Sequence, residues 1–150
     1  MSAGCGATWI ASLTLAMGGA SAASAETPQI LYMLQCQGCH LADGTGAPGA
    51  VPSLEGMGRF LSVPGGREYL VRVPGSAQSP LSDLELAEVL NWMLREFGTT
   101  EITATFAPFS ADEVAGVRHP PLTDVESVRR GLLRRLARRG RESSPSQAGR

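Results

Sequence analysis

Cys36-Gln37-Gly38-Cys39-His40 is the stretch on which the reading of this chain turns. Two thiols stand three positions apart, and an imidazole follows the second directly. A thioredoxin-like redox pair at this spacing would sit beside a βαβ pattern, and half of a zinc site would want a second C-x-x-C. Neither companion is present. The remaining cysteine is Cys5, the residues from Ile30 to Gln35 have the character of a helix, and a glycine-rich loop follows. The full C-x-x-C-H string is the attachment signature of c-type haem. In that chemistry Cys36 and Cys39 each form a thioether to a vinyl group of the porphyrin. His40 then lies under the iron as proximal axial ligand.

Working outward, Thr27-Pro28 reads as N-cap and first position of a short helix that delivers the stretch, with Ile30, Leu31 and Leu34 on one side. After His40, the glycines and prolines of 41–54 argue against regular structure. Gly65 to Val73 reads as a short helix entered at the glycines, in preference to a strand suggested by its β-branched end, and Pro74 to Pro80 as a loop. Ser82 then opens the clearest helix of the chain. Ser82 and Glu85 make an S-x-x-E capping box, Leu81 is placed to staple onto Leu86, and Leu86, Val89, Leu90, Met93, Leu94 and Phe97 recur at helical spacing up to Gly98. The expected class is all-α: a small helical domain with long loops around one haem, plus a C-terminal helical extension.

This order of elements resembles class I cytochrome c over roughly residues 26–98. The resemblance rests on Cys36, Cys39 and His40, on Pro52 with Leu54, and on Leu81-Ser82-Asp83 leading into Trp92. It implies that the carbonyl of Pro52, twelve residues after His40, accepts a hydrogen bond from the second nitrogen of that histidine. Such a bond sets the tautomer and raises ligand basicity. It also implies that Trp92 marks the crossing of the closing helix over the first.

The chain departs from the family at the distal ligand. Most members carry a methionine in the loop before the closing helix, and here 73–80 holds no methionine, histidine or lysine. Met57, set between Gly56 and Gly58 in a loop, is one substitute. Met93, in phase with the core stripe, and His119, in a linker beyond the domain, are others, and an iron without a strong sixth side chain is the fourth reading.

Residues 1–25 read as a signal peptide ending in Ala23-Ser24-Ala25, although no Lys or Arg precedes the apolar run. Export to the periplasm agrees with haem attachment, which in bacteria takes place outside the cytoplasm. The formal net charge is −1, and all 13 cationic side chains are arginine. Residues 26–110 carry nine acids and four arginines; residues 111–150 carry five acids and nine arginines. An acidic body with a basic tail bears on partners and steering rather than on fold.

In the extension, 99–122 predicts an extended arm to Phe109 and a short helix capped by Ser110 and Glu113. Thr123 and Glu126 predict a third capping box opening a basic amphipathic helix over 123–139, and 140–150 reads as a disordered tail. The stripe Val125, Val128, Leu132, Leu133 and Leu136 would pack on the body, or would meet an anionic lipid surface or an acidic partner. Nucleic acid is not an expected partner.

The resemblance implies a periplasmic single-electron carrier, not itself an enzyme, with one covalent haem c and its iron. It would work between a dehydrogenase donor and an oxidase or cytochrome acceptor. The alternatives are a haem protein with an open sixth site, acting as sensor or weak peroxidase, and a cytochrome subunit of a larger oxidoreductase.

Overall fold

The computed structural model describes residues 26–98 and 106–142. The expected leader, the first part of the arm and the end of the tail lie outside the described residues. Every regular element among those described is helical, in agreement with the all-α expectation: α1 (Pro28–Gln35), a 3-10 helix (Met57–Ser62), α2 (Gly66–Arg72), α3 (Pro74–Ala77), α4 (Asp83–Phe97), α5 (Ala111–Val117) and α6 (Val125–Glu142).

α4 is the spine. Ser82 Oγ accepts from the Glu85 N–H at 3.2 Å, and a Glu85 carboxylate oxygen accepts from the Ser82 N–H at 2.7 Å, so both halves of the capping box form. Leu81 and Leu86 are both buried, as a staple requires, and so are Val89, Leu90, Met93, Leu94 and Phe97. Each such side chain removed from water stabilises the fold by about 1.5–3 kcal/mol.

α1 packs on α4 through rings. Thr27 caps it, with Pro28 at the first position. The Tyr32 ring lies 5.1 Å from Trp92 and 5.4 Å from Phe97. This cluster sets the rotation of α1, and it differs from the expected face. Leu31 and Tyr32 are buried, whereas Ile30 and Leu34 are exposed. An eight-residue helix has too few apolar positions to fix its own rotation, and burial of the largest ring decides it.

Two expected loops are helical. The segment at Met57 is a 3-10 helix rather than an open loop, held at its entry by the Gly56 N–H donating to Phe97 O at 2.8 Å. Pro74 begins a one-turn helix, its fixed φ suiting the first helical position, and Val73 O accepts from the N–H groups of Ser76 and Ala77.

The extension shares the core. Phe109, Val114 and Leu132 belong to the same buried cluster as Leu90 and Leu94. Ser110 caps α5 by accepting from the Glu113 N–H, but the Glu113 carboxylate is taken by Arg67 instead of closing the box. Arg118, at the end of α5, is buried. Its guanidinium donates to the carbonyl oxygens of Ala77, Ser79 and Leu81 and pairs with Asp83 at 2.9 Å. α6 is capped by Asp124, which accepts from the Ser127 N–H, and not by Thr123; the Glu126 carboxylate pairs with Arg130 one turn on. The helix also runs to Glu142, past the expected start of the tail.

The stripe of α6 is turned inward except at Val128, which is exposed. Leu132 is 1% exposed, with Leu133 and Leu136 packed against the core. Arg129 lies 5.4 Å from the Phe60 ring, Arg135 donates to Pro64 O at 3.0 Å, and Arg139 donates to Ser62 O. No helix among the described residues is long and apolar enough to cross a membrane.

Candidate haem-attachment site

The C-x-x-C-H stretch continues the winding of α1. Cys36 N–H donates to Tyr32 O at 2.8 Å, and the N–H groups of Cys39 and His40 donate to Cys36 O at 3.1 and 2.9 Å. Both cysteines and the histidine therefore sit on one turn, with both thiols free. The turn is anchored behind by Tyr32, whose hydroxyl donates to Leu41 O at 2.7 Å. One aromatic side chain thus ties α1 to α4 and also holds the backbone just beyond His40. The sequence reading did not single Tyr32 out. Its position four residues before Cys36 places both on one helix face, and that signal could have found it.

The loop after His40 turns back at once. Leu41 N–H donates to Thr45 O at 2.7 Å, and Asp43 accepts from the Thr45 N–H and hydroxyl, bonds that hold its carboxyl below the usual carboxylate range. Gly44 has φ +78°, and a Cβ there would meet the Phe97 ring at 2.6 Å, so the turn closes against the end of α4. Gly46 faces the backbone of Val51 and Pro52. A Cβ on it would lie 2.1 Å from Val51 O and 2.9 Å from Pro52 O.

Burial lowers the His40 pKa, which favours the neutral imidazole, the form that ligates metals. Burial, and then the neighbouring Cys39, push the Cys36 thiol up to about 11. His40 Nδ1 is buried and has no hydrogen-bond partner, so the bond to the Pro52 carbonyl that the resemblance implies is not formed in this structure. Pro52 itself is exposed. Around the turn, large apolar side chains face outward: Met33 is 53% exposed, Leu34 67% and Leu41 60%.

The chemistry of this donor set fits a covalently held porphyrin. Two free thiols share a turn, burial keeps the imidazole beside them in the neutral form that ligates metals, and apolar side chains flank them. The candidate distal ligands are placed elsewhere. Met57 and Met93 are both in the buried core, and His119 is exposed after α5, beside a cis bond to Pro120. α3 and its connection to α4 occupy the position where the resemblance would place a methionine.

An all-α domain whose first helix ends in C-x-x-C-H and is crossed by a closing aromatic helix defines a c-type cytochrome. The chain is similar to two proteins named cytochrome c-552, both from Thermus thermophilus. One is 36% identical over 128 residues, which covers 73% of this chain and 85% of the relative. The other is 37% identical over 108 residues, 59% of this chain and 82% of the relative. No protein-family model matches the chain. At that identity and coverage the chain belongs to the c-type cytochromes: it is a haem electron carrier, with haem c and its iron bound covalently.

Proposed function

We propose that Cys36 and Cys39 are the two thioether positions and His40 the proximal ligand, and that the protein carries single electrons in the periplasm. Its donor would be a dehydrogenase and its acceptor an oxidase or another cytochrome. The observation that carries this reading is the single turn that holds two free thiols beside an imidazole kept neutral by burial. When bound, the haem iron supplies a ferrous–ferric couple. The chain's own residues hold and insulate it. The thiols would fix its place, His40 would supply the imidazole ligand, and Tyr32 ties down the backbone just beyond that histidine. The apolar side chains of Met33, Leu34 and Leu41 present a surface free of charge beside the attachment turn. A finished protein purified from a haem-attaching host should show haem that resists acid–acetone extraction and a mass increased by one haem. Colourless protein with two alkylatable thiols would overturn the assignment.

A second reading has its own support. Met57 and Met93, the two methionines weighed as distal ligands, are committed to the core, and 73–80 offers no sulfur or imidazole. An iron open on its sixth side follows, with a lower potential than a thioether ligand gives. The ferrous protein would then bind carbon monoxide. A low-spin spectrum with a sulfur-to-iron charge-transfer band would instead assign a methionine. Service as a subunit of a larger oxidoreductase is compatible with either ligation.

A further inference from the structure

α6 carries seven arginines, and they divide into two sets. Arg129, Arg135 and Arg139 are spent on the body, at Phe60 and Tyr69, at Pro64 O and at Ser62 O. Arg130, Arg134, Arg138 and Arg141 are exposed. Their spacing of four, four and three residues places them on one face, along about 16 Å of helix axis at about 1.5 Å per residue. Arg130 pairs with Glu126 at 2.6 Å; no acidic side chain pairs with Arg134, Arg138 or Arg141 among the described residues. Like charges one turn apart destabilise a helix. This ridge therefore works against the helix, offset only by the Glu126 partner of Arg130 and by the place of Arg141 in the last turn.

The character of the ridge selects its partner. The leucines of the α6 stripe are packed against the core and only Val128, 36% exposed, is left outward, so the helix has little to insert into hydrocarbon. Protein interfaces are centred on buried apolar or aromatic anchors, and the residues between these arginines, such as Gly131 and Ala137, supply none. A phosphate surface needs no such anchor. Guanidinium forks suit phosphate oxygens, and a file of cations suits a plane of headgroups. α6 packs chiefly on the 3-10 helix and α2, whereas α1, which ends in the C-x-x-C-H turn, packs on α4. The acidic excess lies in the body and the basic excess in the extension.

We infer that the Arg130–Arg134–Arg138–Arg141 ridge is a tether to an anionic phospholipid surface. It holds the protein by charge alone, reversibly, through elements other than those that carry the haem-attachment turn. The inference does not depend on the iron's ligation.

The test is flotation of the full-length haem-loaded protein with vesicles of phosphatidylglycerol and phosphatidylcholine, against vesicles of phosphatidylcholine alone. Binding should occur only to the anionic vesicles at low salt and vanish near roughly 0.5 M salt, where screening shortens to a few Å. The triple variant Arg134→Gln, Arg138→Gln, Arg141→Gln should bind roughly a hundredfold more weakly, three surface charges having been removed. Its haem spectrum and helicity should be unchanged. No binding to anionic vesicles at low salt, equal binding to both vesicle types, or full binding by the correctly folded triple variant would each overturn the inference. So would a salt-sensitive complex with an acidic redox protein formed through these arginines in the absence of any lipid binding.

Discussion

Asn91, buried in the middle of α4, pairs with both backbone groups of Phe109. Its amide nitrogen donates to Phe109 O at 2.9 Å, and its oxygen accepts from the Phe109 N–H at 2.7 Å. The side chain stands in for a neighbouring strand and lets Phe109 enter the core with both of its backbone groups paired. Arg67 covers the Phe109 ring at 4.0 Å and donates to Ala107 O, so the same residue is fixed from both sides. Asn91→Ala would leave a buried donor and acceptor unpaired. The expected loss is about 2–4 kcal/mol, read as a lower denaturation midpoint, with faster amide exchange in 106–118 than in α1.

Arg118 offers the sharper case. Its charge is buried only because three carbonyls and Asp83 surround it. Arg118→Met preserves much of the stem but leaves those carbonyls without their donor, and should cost about 3 kcal/mol. Arg118→Lys should recover little, because an ammonium cannot reproduce the fork. Amide exchange in 77–82 separates this from a general loss of stability: those residues should loosen first.

Alkaline pH should act through Tyr32. Burial, and then the nearby Cys36 and Asp43, push its phenol up to about 12 from the ordinary 10. A folded pKa above the unfolded one contributes stability that is whole below pH 10 and is lost as pH climbs through about 12. Stability of the wild type should therefore fall across that window more steeply than in Tyr32→Phe. At neutral pH the variant should be about 1 kcal/mol less stable, for the missing bond to Leu41 O. Equal alkaline slopes in urea titrations would contradict the assignment.

Gly46→Ala tests the loop behind the attachment turn. The added Cβ would press on two carbonyl oxygens of the backbone, Val51 O at 2.1 Å and Pro52 O at 2.9 Å. Neither is the free end of a flexible side chain, so 41–54 must move. A loss of about 1–3 kcal/mol is expected, together with a lower yield of haem-loaded protein. Gly49→Ala has open space at its Cβ but a φ of +79°, and should cost only the backbone strain, about 1 kcal/mol.

What could be read from the chain alone is what lies within a few residues. The box at Ser82 and Glu85, the cap at Thr27 and the turn of C-x-x-C-H each close between partners no more than four positions apart, so the residue string contains the whole interaction. The same logic failed where another partner competed. Glu113 left its own capping box for Arg67, forty-six positions away, and Glu126 left Thr123 for Arg130.

The amino-acid string by itself determined that Cys36, Cys39 and His40 share one turn, the helical class, and the phase of α4 from Leu86 to Phe97, because these depend on spacing. Tertiary structure alone decided which face of α1 is buried, that Met57 lies in the core, and that the leucines of α6 turn inward while Arg130, Arg134, Arg138 and Arg141 turn out. Those outcomes depend on contacts between segments tens of residues apart, such as Tyr32 with Trp92 and Arg135 with Pro64. Burial is shared among all the surfaces that compete for it, and no local pattern records which of them prevails.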